Sequence, residues 1–296
     1  MLYETARSTK RFLFSLIPDG IFYQYHHLKN HKGFCDFNKP KSFSEKIYYR
    51  MRFPSPAFST LADKVLVRDH IKKVVGEQYL VPAFFSCKKV SASTFNSLPN
   101  SFVMKANHSA GQVKIVTDKR HENLENLAEL ANQWLQSDFS RVKREKHYKD
   151  IEPQIIFEHA LLTDGRPPAD YKFNVFNSGE TCEPYIFIQY MQDRFGATTQ
   201  NLFLEDWTPA PFTRAGQPQS TVPIEKPKVL DEMLFVAKKL SENFGYLRVD
   251  FYLHNNKIYI GELTLTPAAG NYIFNPPEYN RTLGDLFCWP ELITPR

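Results

Sequence analysis

Cysteine is scarce in this chain and shows no pattern that would give it a structural role. No CxxC pair occurs and no histidine lies nearby at the spacing of a zinc site; the four cysteines are Cys35, Cys87, Cys182 and Cys288. The sequence therefore predicts neither a disulfide framework nor a structural zinc site. Scattered cysteines of this kind are typical of a protein of the reducing cytoplasm.

Long apolar segments are also absent. The apolar stretch 12–17 is too short for a transmembrane helix and lacks a convincing cleavage site, so the sequence predicts no secretion signal. An N-terminal helix lying on the inner face of the membrane stays open as an alternative, and it would make this a peripheral membrane protein.

No charge of one sign dominates, because the net charge is only +5. Basic residues cluster in one segment, 141–149, with the sequence RVKREKHYK. Charge runs are usually solvated, so we expect an exposed helix end here; attraction of an anionic polymer is the alternative. The chain has no nucleic-acid motif and no basic face with interleaved aromatics, and we expect no nucleic-acid partner. The oligomeric state does not follow from the sequence.

The chain does have enough apolar residues for a large core. Its 296 residues are 42% hydrophobic and 15% aromatic, which is sufficient for two lobes. Hydrophobic periodicity predicts an α+β protein with largely antiparallel sheets. We expect an irregular connection at 205–227, helices at 43–52, 61–75, 122–137 and 229–244, and strands at 80–85, 102–105, 113–117, 154–158, 171–176 and 185–189.

The most informative segment is the hairpin predicted at 246–267. Its first strand alternates between apolar and polar residues, which places Arg248 and Asp250 on one face. A three-residue loop at 254–256 would align Asp250 with Glu262 of the returning strand on that same face. A two-residue turn would put the two carboxylates on opposite faces.

Two neighbouring carboxylates repel each other, so either a cation lies between them or one of the two takes a proton. Oxygen ligands of this kind suit a hard cation such as Mg²⁺, completed by water and the phosphates of a nucleotide. The alternative is that Asp250 and Glu262 are solvent-facing residues of an exposed hairpin. By the same alternation, Ile258 and Ile260 are expected on the face of Glu262.

Two further clusters are compatible with nucleotide binding. Lys105 ends an apolar strand and precedes the small-residue loop 106–112, an arrangement that can neutralise and surround phosphate oxygens. On a later strand, Asp170 could accept from ribose hydroxyls and Lys172 could contact a phosphate. The alternatives are an ordinary hairpin with an incidental lysine and, for the second cluster, ordinary surface residues.

The order of these motifs resembles the TupA-like ATP-grasp family, which is named for teichuronopeptide biosynthesis and occurs in bacterial surface-polysaccharide gene clusters. The resemblance covers roughly residues 30–288. It rests on NKPKSFSEK, LADK followed by Val67-Arg68, FVMKANHSAG, DYKF, the segment 189–195 with Asp193-Arg194, LRVDFY and GELTLTPAAG.

The resemblance implies an ATP-grasp fold, in which two α+β lobes, 59–157 and 158–296, clamp ATP after an N-terminal helical extension, 1–58. It also implies a role for each motif residue. Lys105 would contact phosphates, the loop with His108, Ser109 and Gly111 would cover them, Glu158 would border the adenine, Asp170 and Lys172 would face the ribose and a phosphate, and Asp250, Glu262 and Thr264 would bind Mg²⁺.

The chain departs from the family's pattern at two of these positions. Thr264 stands where relatives outside the family have asparagine, which weakens its implied metal role. Ser109-Ala110 replaces a Gly-Ser pair of the usual loop, and the loss of a glycine is expected to affect turnover more than binding.

The activity implied by the resemblance is an ADP-forming carboxylate–amine ligase that uses ATP and Mg²⁺. Arg248, with Lys105, would stabilise the charge that develops during phosphoryl transfer. The expected substrates are an acidic saccharide, such as a uronic acid of a surface polysaccharide, and an amino acid or other amine. Two alternatives stay open: a glycosyltransferase-like protein that binds a sugar nucleotide, and a catalytically silent nucleotide-binding protein of the assembly machinery.

Overall fold

The computed structural model describes residues 17–178, 183–192 and 196–289, without the side chain of Val142. The predicted apolar stretch 12–17 falls outside these ranges apart from Ile17, and the motif pair Asp193-Arg194 lies outside them entirely. None of the described helices is both long enough and apolar enough to cross a membrane.

Two antiparallel sheets form the frame of the protein. The smaller one has the strand order β1-β4-β2-β3, and the larger one has the order β10-β9-β5-β6-β7. The strands of the small sheet are β1 Ala83–Cys87, β2 Phe102–Ala106, β3 Val113–Val116 and β4 Ile155–Glu158. Those of the large sheet are β5 Asp170–Phe176, β6 Tyr185–Gln192, β7 Thr199–Leu204, β9 Tyr246–His254 and β10 Lys257–Thr264.

A two-stranded ribbon and eight α-helices complete the described part of the chain. The ribbon pairs β8 Thr213–Arg214 with β11 Phe274–Asn275. The helices are α1 Asp19–His31, α2 Phe43–Arg52, α3 Pro56–Ala62, α4 Val67–Val74, α5 Leu124–Leu135, α6 Ser140–Lys143, α7 Leu230–Ser241 and α8 Tyr279–Asp285. The α+β fold class expected from the sequence is confirmed.

Each sheet buries one apolar face against helices. The small sheet packs against α5, as the buried pair Phe157 and Leu127 shows. The large sheet packs its apolar face against α7 and also against α3 and α4, through residues such as Phe58 and Ile71. Apolar side chains between Phe58 and Leu80 thus pack in the core of the large sheet. The division expected from the sequence, with 59–157 as the small lobe, stays a prediction.

The helix predicted at 61–75 is two helices, α3 and α4. Asp63 ends the first one, and its carboxylate accepts hydrogen bonds from the backbone N–H groups of Val65 at 2.8 Å and Leu66 at 3.3 Å. Aspartate competes for nearby backbone donors in this way and so favours turns over helix interiors. The break brings the adjoining Lys64 close to the small sheet.

The N-terminal helices attach to the other face of the large sheet. The residue before helix α2, Ser42, caps its N-terminus and forms a capping box with Glu45. From its buried side, Arg50 donates to the carbonyl oxygens of Leu265 and Tyr246, both at 2.8 Å. Because these carbonyls flank β9 and β10, α2 fixes the ends of the two strands that carry the predicted metal residues.

The hairpin of β9 and β10 aligns Asp250 with Glu262, as predicted, but by a different route. His254 pairs with Lys257, so the turn has two residues, both with positive φ (51° and 57°). An extra residue in β10, Gly261, then shifts the register by one and restores the common face.

The prediction that Ile258 and Ile260 share the face of Glu262 is wrong. They pair with Leu253 and Phe251 and lie in the core of the large sheet. The bulge at Gly261 separates this apolar stretch of β10 from its polar end. A Cβ atom on Gly261 would lie 2.6 Å from the ring of Tyr252, which explains why the bulged position has no side chain.

Candidate functional site

A cleft of about 670 Å³ opens between the two sheets. Its walls are mostly apolar, with residues such as Val103 and Ile115 from the small sheet and Tyr190 from the large one. Polar side chains also line it, among them Lys105, Glu158, Arg166 and Asp170. An apolar cleft of this size with a few polar groups is typical of a small-molecule site.

Lys105 and Glu158 come from adjacent strands of the small sheet and form a buried ion pair. Lys105 Nζ lies 2.6 Å from Glu158 Oε2, and Arg68 Nη1 lies 3.1 Å from Glu158 Oε1. Burial favours the neutral amine, but the charges of Glu158 and, more weakly, Glu262 raise the pKa of Lys105 above its usual range. Lys105 is therefore a fixed cation that lies within electrostatic reach of Glu262 on the large sheet.

Buried polar side chains fix the loop after β2 by hydrogen bonds. Asn107 is fully buried and donates from Nδ2 to Asp63 Oδ1 and to the carbonyl of Glu152, both at 3.0 Å. Lys64 donates from Nζ to the carbonyl oxygen of Ser109. Burial lowers the pKa of Lys64, and the charge of Lys105 lowers it further, while the charge of Glu262 opposes both.

The predicted phosphate-covering residues lie in different environments within this loop. The ring of His108 is buried, with Nδ1 3.1 Å from Asn107 Oδ1 and Nε2 3.1 Å from the carbonyl of Trp134. Ser109 is also buried, whereas Gly111 has φ +88° and open space around its Cα. Only the tip of the loop, at Ala110 and Gly111, is exposed, and the phosphate-covering role of the loop stays a prediction.

Asp250 is the centre of a second buried cation–carboxylate cluster, on the large sheet. Arg248 donates to it with Nε at 2.6 Å and Nη2 at 2.7 Å, and Lys172 donates with Nζ at 2.5 Å. Burial alone would raise the pKa of Asp250, but Arg248 and Lys172 hold it below its usual value. Asp250 is therefore ionised without a metal ion, so the expectation that the two carboxylates need an ion between them does not hold for this residue.

Glu262 has a different environment from Asp250. It is partly exposed, and its carboxylate has no hydrogen-bond or ion-pair partner among the residues that the structure describes. The neighbouring Thr264 accepts a hydrogen bond from Arg248 Nη2 at 2.9 Å. Cross-strand pairing places Glu262, Asp250 and Lys172 in one row across the sheet, and Asp170 lies on the same face, 3.5 Å from Lys172 Nζ.

These oxygen donors fit the predicted Mg²⁺ in one specific way. Within the described ranges, no group of three or more histidine, cysteine, aspartate or glutamate side chains is arranged to hold a metal ion. Magnesium is commonly held by only one or two carboxylates together with substrate phosphates. Glu262 supplies unshared oxygens, and Asp250 Oδ1, which accepts one hydrogen bond from Arg248, retains a lone pair. The residues fit an ion that is bound together with phosphate groups.

Sequence reasoning missed a third carboxylate near this row, Glu145. It lies in the basic segment 141–149, where we expected a solvated helix end, but it is buried and accepts a hydrogen bond from Thr266 Oγ1 at 2.5 Å. Burial, with the charge of Glu262, raises the pKa of Glu145 to about 7. No local pattern signals this burial, because the contact with Thr266 joins positions 121 residues apart.

Lys64, Arg68 and Arg166 are further site residues to which the sequence reasoning assigned no role. Lys64 was visible only as part of the LADK motif, and Arg166 lies in a loop without periodicity. The structure brings the predicted residues Lys105, Glu158 and Asp170 to the cleft. Their assigned roles stay predictions.

The sequence model of the TupA-like ATP-grasp family matches residues 45–288, which is most of the chain. The protein belongs to this family and has its ATP-grasp fold. No curated protein matches the chain significantly.

Among solved structures, a D-alanine–D-alanine ligase from Bacillus anthracis in complex with ATP is similar, with 16% identity and a TM-score of 0.42 over 77% of this chain and 65% of that one. The D-alanyl-alanine synthetase A of Vibrio cholerae has 14% identity and a TM-score of 0.43 over 74% and 58%. The ATP-grasp ligase PsnB, in complex with Mg and ADP, has 10% identity and a TM-score of 0.39 over 82% and 65%. The chain thus spans about 58–65% of the length of these three proteins, and at such TM-scores family membership rests on the sequence model alone.

Proposed function

We propose that the protein is an ATP-dependent ligase that joins a carboxylate to an amine. The proposal is carried by one observation: Lys105 of the small sheet and Glu262 of the large sheet line one small pocket, and Lys105 also lines an apolar cleft of about 670 Å³. The cleft has the size and polarity for an adenosine group. The triphosphate would then extend from the cleft towards Lys105 and the row of Asp250 and Glu262.

The charges of the site favour a metal ion that arrives with a nucleotide. Glu158 is compensated by Lys105 and Arg68, and Asp250 by Arg248 and Lys172. A divalent ion alone would therefore meet several fixed cations, whereas Glu262 offers a carboxylate with no ion-pair partner among the described residues. The negative charge of a bound triphosphate reverses this balance. Bound there, Mg²⁺ would neutralise phosphate charge and align the reacting oxygens.

The proposed reaction has two steps. A carboxylate oxygen of the first substrate attacks the γ-phosphorus of ATP, the bond to the bridging oxygen breaks, and an acyl phosphate and ADP form. The amine of the second substrate then attacks the acyl carbon, and the carbon–oxygen bond to phosphate breaks. The amine nitrogen loses its proton, and the products are an amide and inorganic phosphate.

Arg248 is positioned to stabilise the charge that develops in both steps. Asp250 holds Arg248 Nε and Nη2, Thr264 also binds Nη2, and Nη1 has no hydrogen bond among the described residues. A guanidinium that is already oriented needs little reorganisation when charge develops beside it. Lys105, held by Glu158, would play the corresponding role at the phosphates.

The finer assignments follow the family rather than the geometry. The family is named for teichuronopeptide biosynthesis, and this supports a uronic acid of a surface polysaccharide, or its precursor, as the carboxylate and an amino acid as the amine. Such a reaction would take place in the cytoplasm, where ATP is available, at or near the inner face of the membrane.

The test is ADP release from Mg-ATP in the presence of glucuronic or galacturonic acid combined with amino acids. We expect release that requires both the acid and the amine. Thermal-shift measurements with Mg-ATP and with UDP-sugars provide the comparison with a glycosyltransferase-like protein. Stabilisation by UDP-sugars but not by Mg-ATP would overturn the proposal.

A further inference from the structure

The polar face of the large sheet continues beyond Asp250 and Lys172 onto β6 and β7. Gln189 pairs with Lys172, and Gln200 pairs with Met191, two residues after Gln189 on β6. Side chains of directly paired residues lie on the same face of a sheet. Gln189 and Gln200 therefore face the same side as Asp250, at the end of the sheet that is farther from Glu262.

Three buried polar atoms in this region have no hydrogen-bond partner in the described part of the chain: Gln189 Oε1, Gln200 Nε2 and the Tyr272 hydroxyl. Each of these residues is only 2% exposed. Gln189 Nε2 donates to Gln200 Oε1 at 3.0 Å, so one atom of each amide is left over. Gln200 lies near the Tyr272 hydroxyl, but the geometry of a hydrogen bond is not met. Buried polar atoms are nearly always paired, so atoms left over in this way indicate a missing ligand or water.

A cation with no counter-charge among the described residues lies over the ring of Tyr272. Arg214, in β8, places Cζ 4.8 Å from the centre of the Tyr272 ring. The guanidinium has no hydrogen bond or ion pair with any residue in the described ranges. Burial lowers the pKa of Arg214, Tyr272 opposes this, and the charge of Arg248 lowers it further. No carboxylate within the described ranges forms an ion pair with it, although burying an uncompensated charge is costly.

The chemistry of this group matches a carboxylate. A guanidinium, an amide N–H and a phenolic O–H are all donors to an anion, and arginine pairs with carboxylates in a planar, two-point geometry. The remaining acceptor, Gln189 Oε1, would take a hydrogen bond from an ammonium or hydroxyl group of the same ligand.

The position of Arg214 indicates which carboxylate this is. Arg214 lies over the ring of Tyr272, which is next to Gln200 of β7, whereas Asp250 and Glu262 lie on β9 and β10, at the other side of the sheet. The carboxylate that receives the γ-phosphate has to lie at the predicted metal row. A uronic acid has only this one carboxylate, and a second one would belong to the amine substrate.

We propose that Arg214, Gln200 and Tyr272 bind the carboxylate of the amine substrate, which is therefore an amino acid and not a simple amine. This inference rests on the proposed ligase function, and it adds the class of the second substrate and its subsite. The bound carboxylate accepts hydrogen bonds from the three residues and places the amino group on the Arg248 side of the subsite.

The test measures binding and does not require turnover. Saturation-transfer NMR is recorded with the proteinogenic amino acids and their carboxamides, on full-length protein loaded with Mg²⁺ and a non-hydrolysable ATP analogue. We expect at least one amino acid to bind and its carboxamide not to bind. In Arg214→Gln its affinity should fall by about 10- to 100-fold, the loss typical of a hydrogen bond to a charged group.

Two further variants separate binding from folding. Tyr272→Phe keeps the buried ring and removes only the hydroxyl, and we expect a smaller loss of amino-acid affinity with unchanged thermal stability. Arg281→Gln makes the same substitution as Arg214→Gln in an exposed ion pair with Asp285 and should change nothing.

Equal amino-acid binding by wild type and Arg214→Gln, or equal binding of acids and carboxamides, would overturn the subsite. So would the absence of any amino-acid binding to the loaded wild-type protein. The ligase function itself is judged separately by ADP release. If simple amines without a carboxylate support wild-type rates of ADP release, the ligase function is supported and the carboxylate subsite is refuted.

Discussion

Asp250 and Glu262 are paired across the hairpin, but their replacement by the corresponding amides should have very different effects on stability. Asp250 is buried and compensates two buried cations, Arg248 and Lys172. Removing one member of such a cluster leaves an uncompensated buried charge and typically costs about 3–5 kcal/mol. Glu262 is partly exposed and has no partner in the described part of the chain, so Glu262→Gln should change stability by less than about 0.5 kcal/mol.

Thermal and urea unfolding of the nucleotide-free protein measure this difference. We expect the melting temperature of Asp250→Asn to fall by roughly 10 °C and that of Glu262→Gln to stay close to the wild-type value. In the double variant Asp250→Asn with Lys172→Met, one uncompensated cation is gone, and part of the lost stability should return.

Both single variants should lose ATP turnover, because each removes a carboxylate from the predicted Mg²⁺ site. Equal stabilities of the two variants would refute the buried cluster around Asp250. Near-normal turnover in both would refute the metal assignment while leaving the cluster intact. The two parts of the argument can therefore fail independently.

Three further predictions follow from the site. Glu145→Gln should remove a pH-dependent contribution to the free energy of unfolding. The pKa of Glu145 in the folded protein, about 7, lies above the ordinary 4.5, so the folded state keeps its proton to higher pH and about 3 kcal/mol of wild-type stability is lost as pH rises from 4.5 through 7. Parallel stability–pH curves for variant and wild type, measured with EDTA, would contradict this. Gly261→Ala should lower the free energy of unfolding by about 1–3 kcal/mol and weaken Mg-ATP binding in thermal-shift assays, because the new Cβ would lie 2.6 Å from the Tyr252 ring. The control Gly33→Ala has open space around the new Cβ and should change neither stability nor Mg-ATP binding. Millimolar Mg²⁺ alone should stabilise the protein far less than Mg²⁺ with a non-hydrolysable ATP analogue, and equal stabilisation would contradict the charge argument.

The hairpin shows how far sequence periodicity reaches. Alternation correctly placed Arg248 and Asp250 on one face and aligned Asp250 with Glu262. The three-residue loop that justified the alignment is wrong, because period-two counting assumes a regular strand. The available signal was Gly261, since a glycine inside a strand pattern often marks a bulge.

Burial that depends on distant contacts could not be read from the sequence. The basic segment 141–149 looks solvated by composition, but its central residues Glu145, His147 and Tyr148 are buried. Charged residues are buried only when particular partners are present, and Thr266, the partner of Glu145, comes from a segment far along the chain. The same holds for Arg214, which lies over the ring of Tyr272, a residue 58 positions further along the chain.

The buried charges of the site are better explained by catalysis than by stability. Well-packed apolar residues in place of buried ion pairs are often neutral or stabilising. Here Asp250 and Lys172 lie in the centre of the large sheet, where apolar residues on the opposite face, such as Val249 and Phe251, provide the packing that offsets their desolvation. What the cluster contributes is orientation, because Arg248 is held by two bonds to one carboxylate and a third to Thr264. A cation fixed in this way is the arrangement expected where negative charge develops during a reaction.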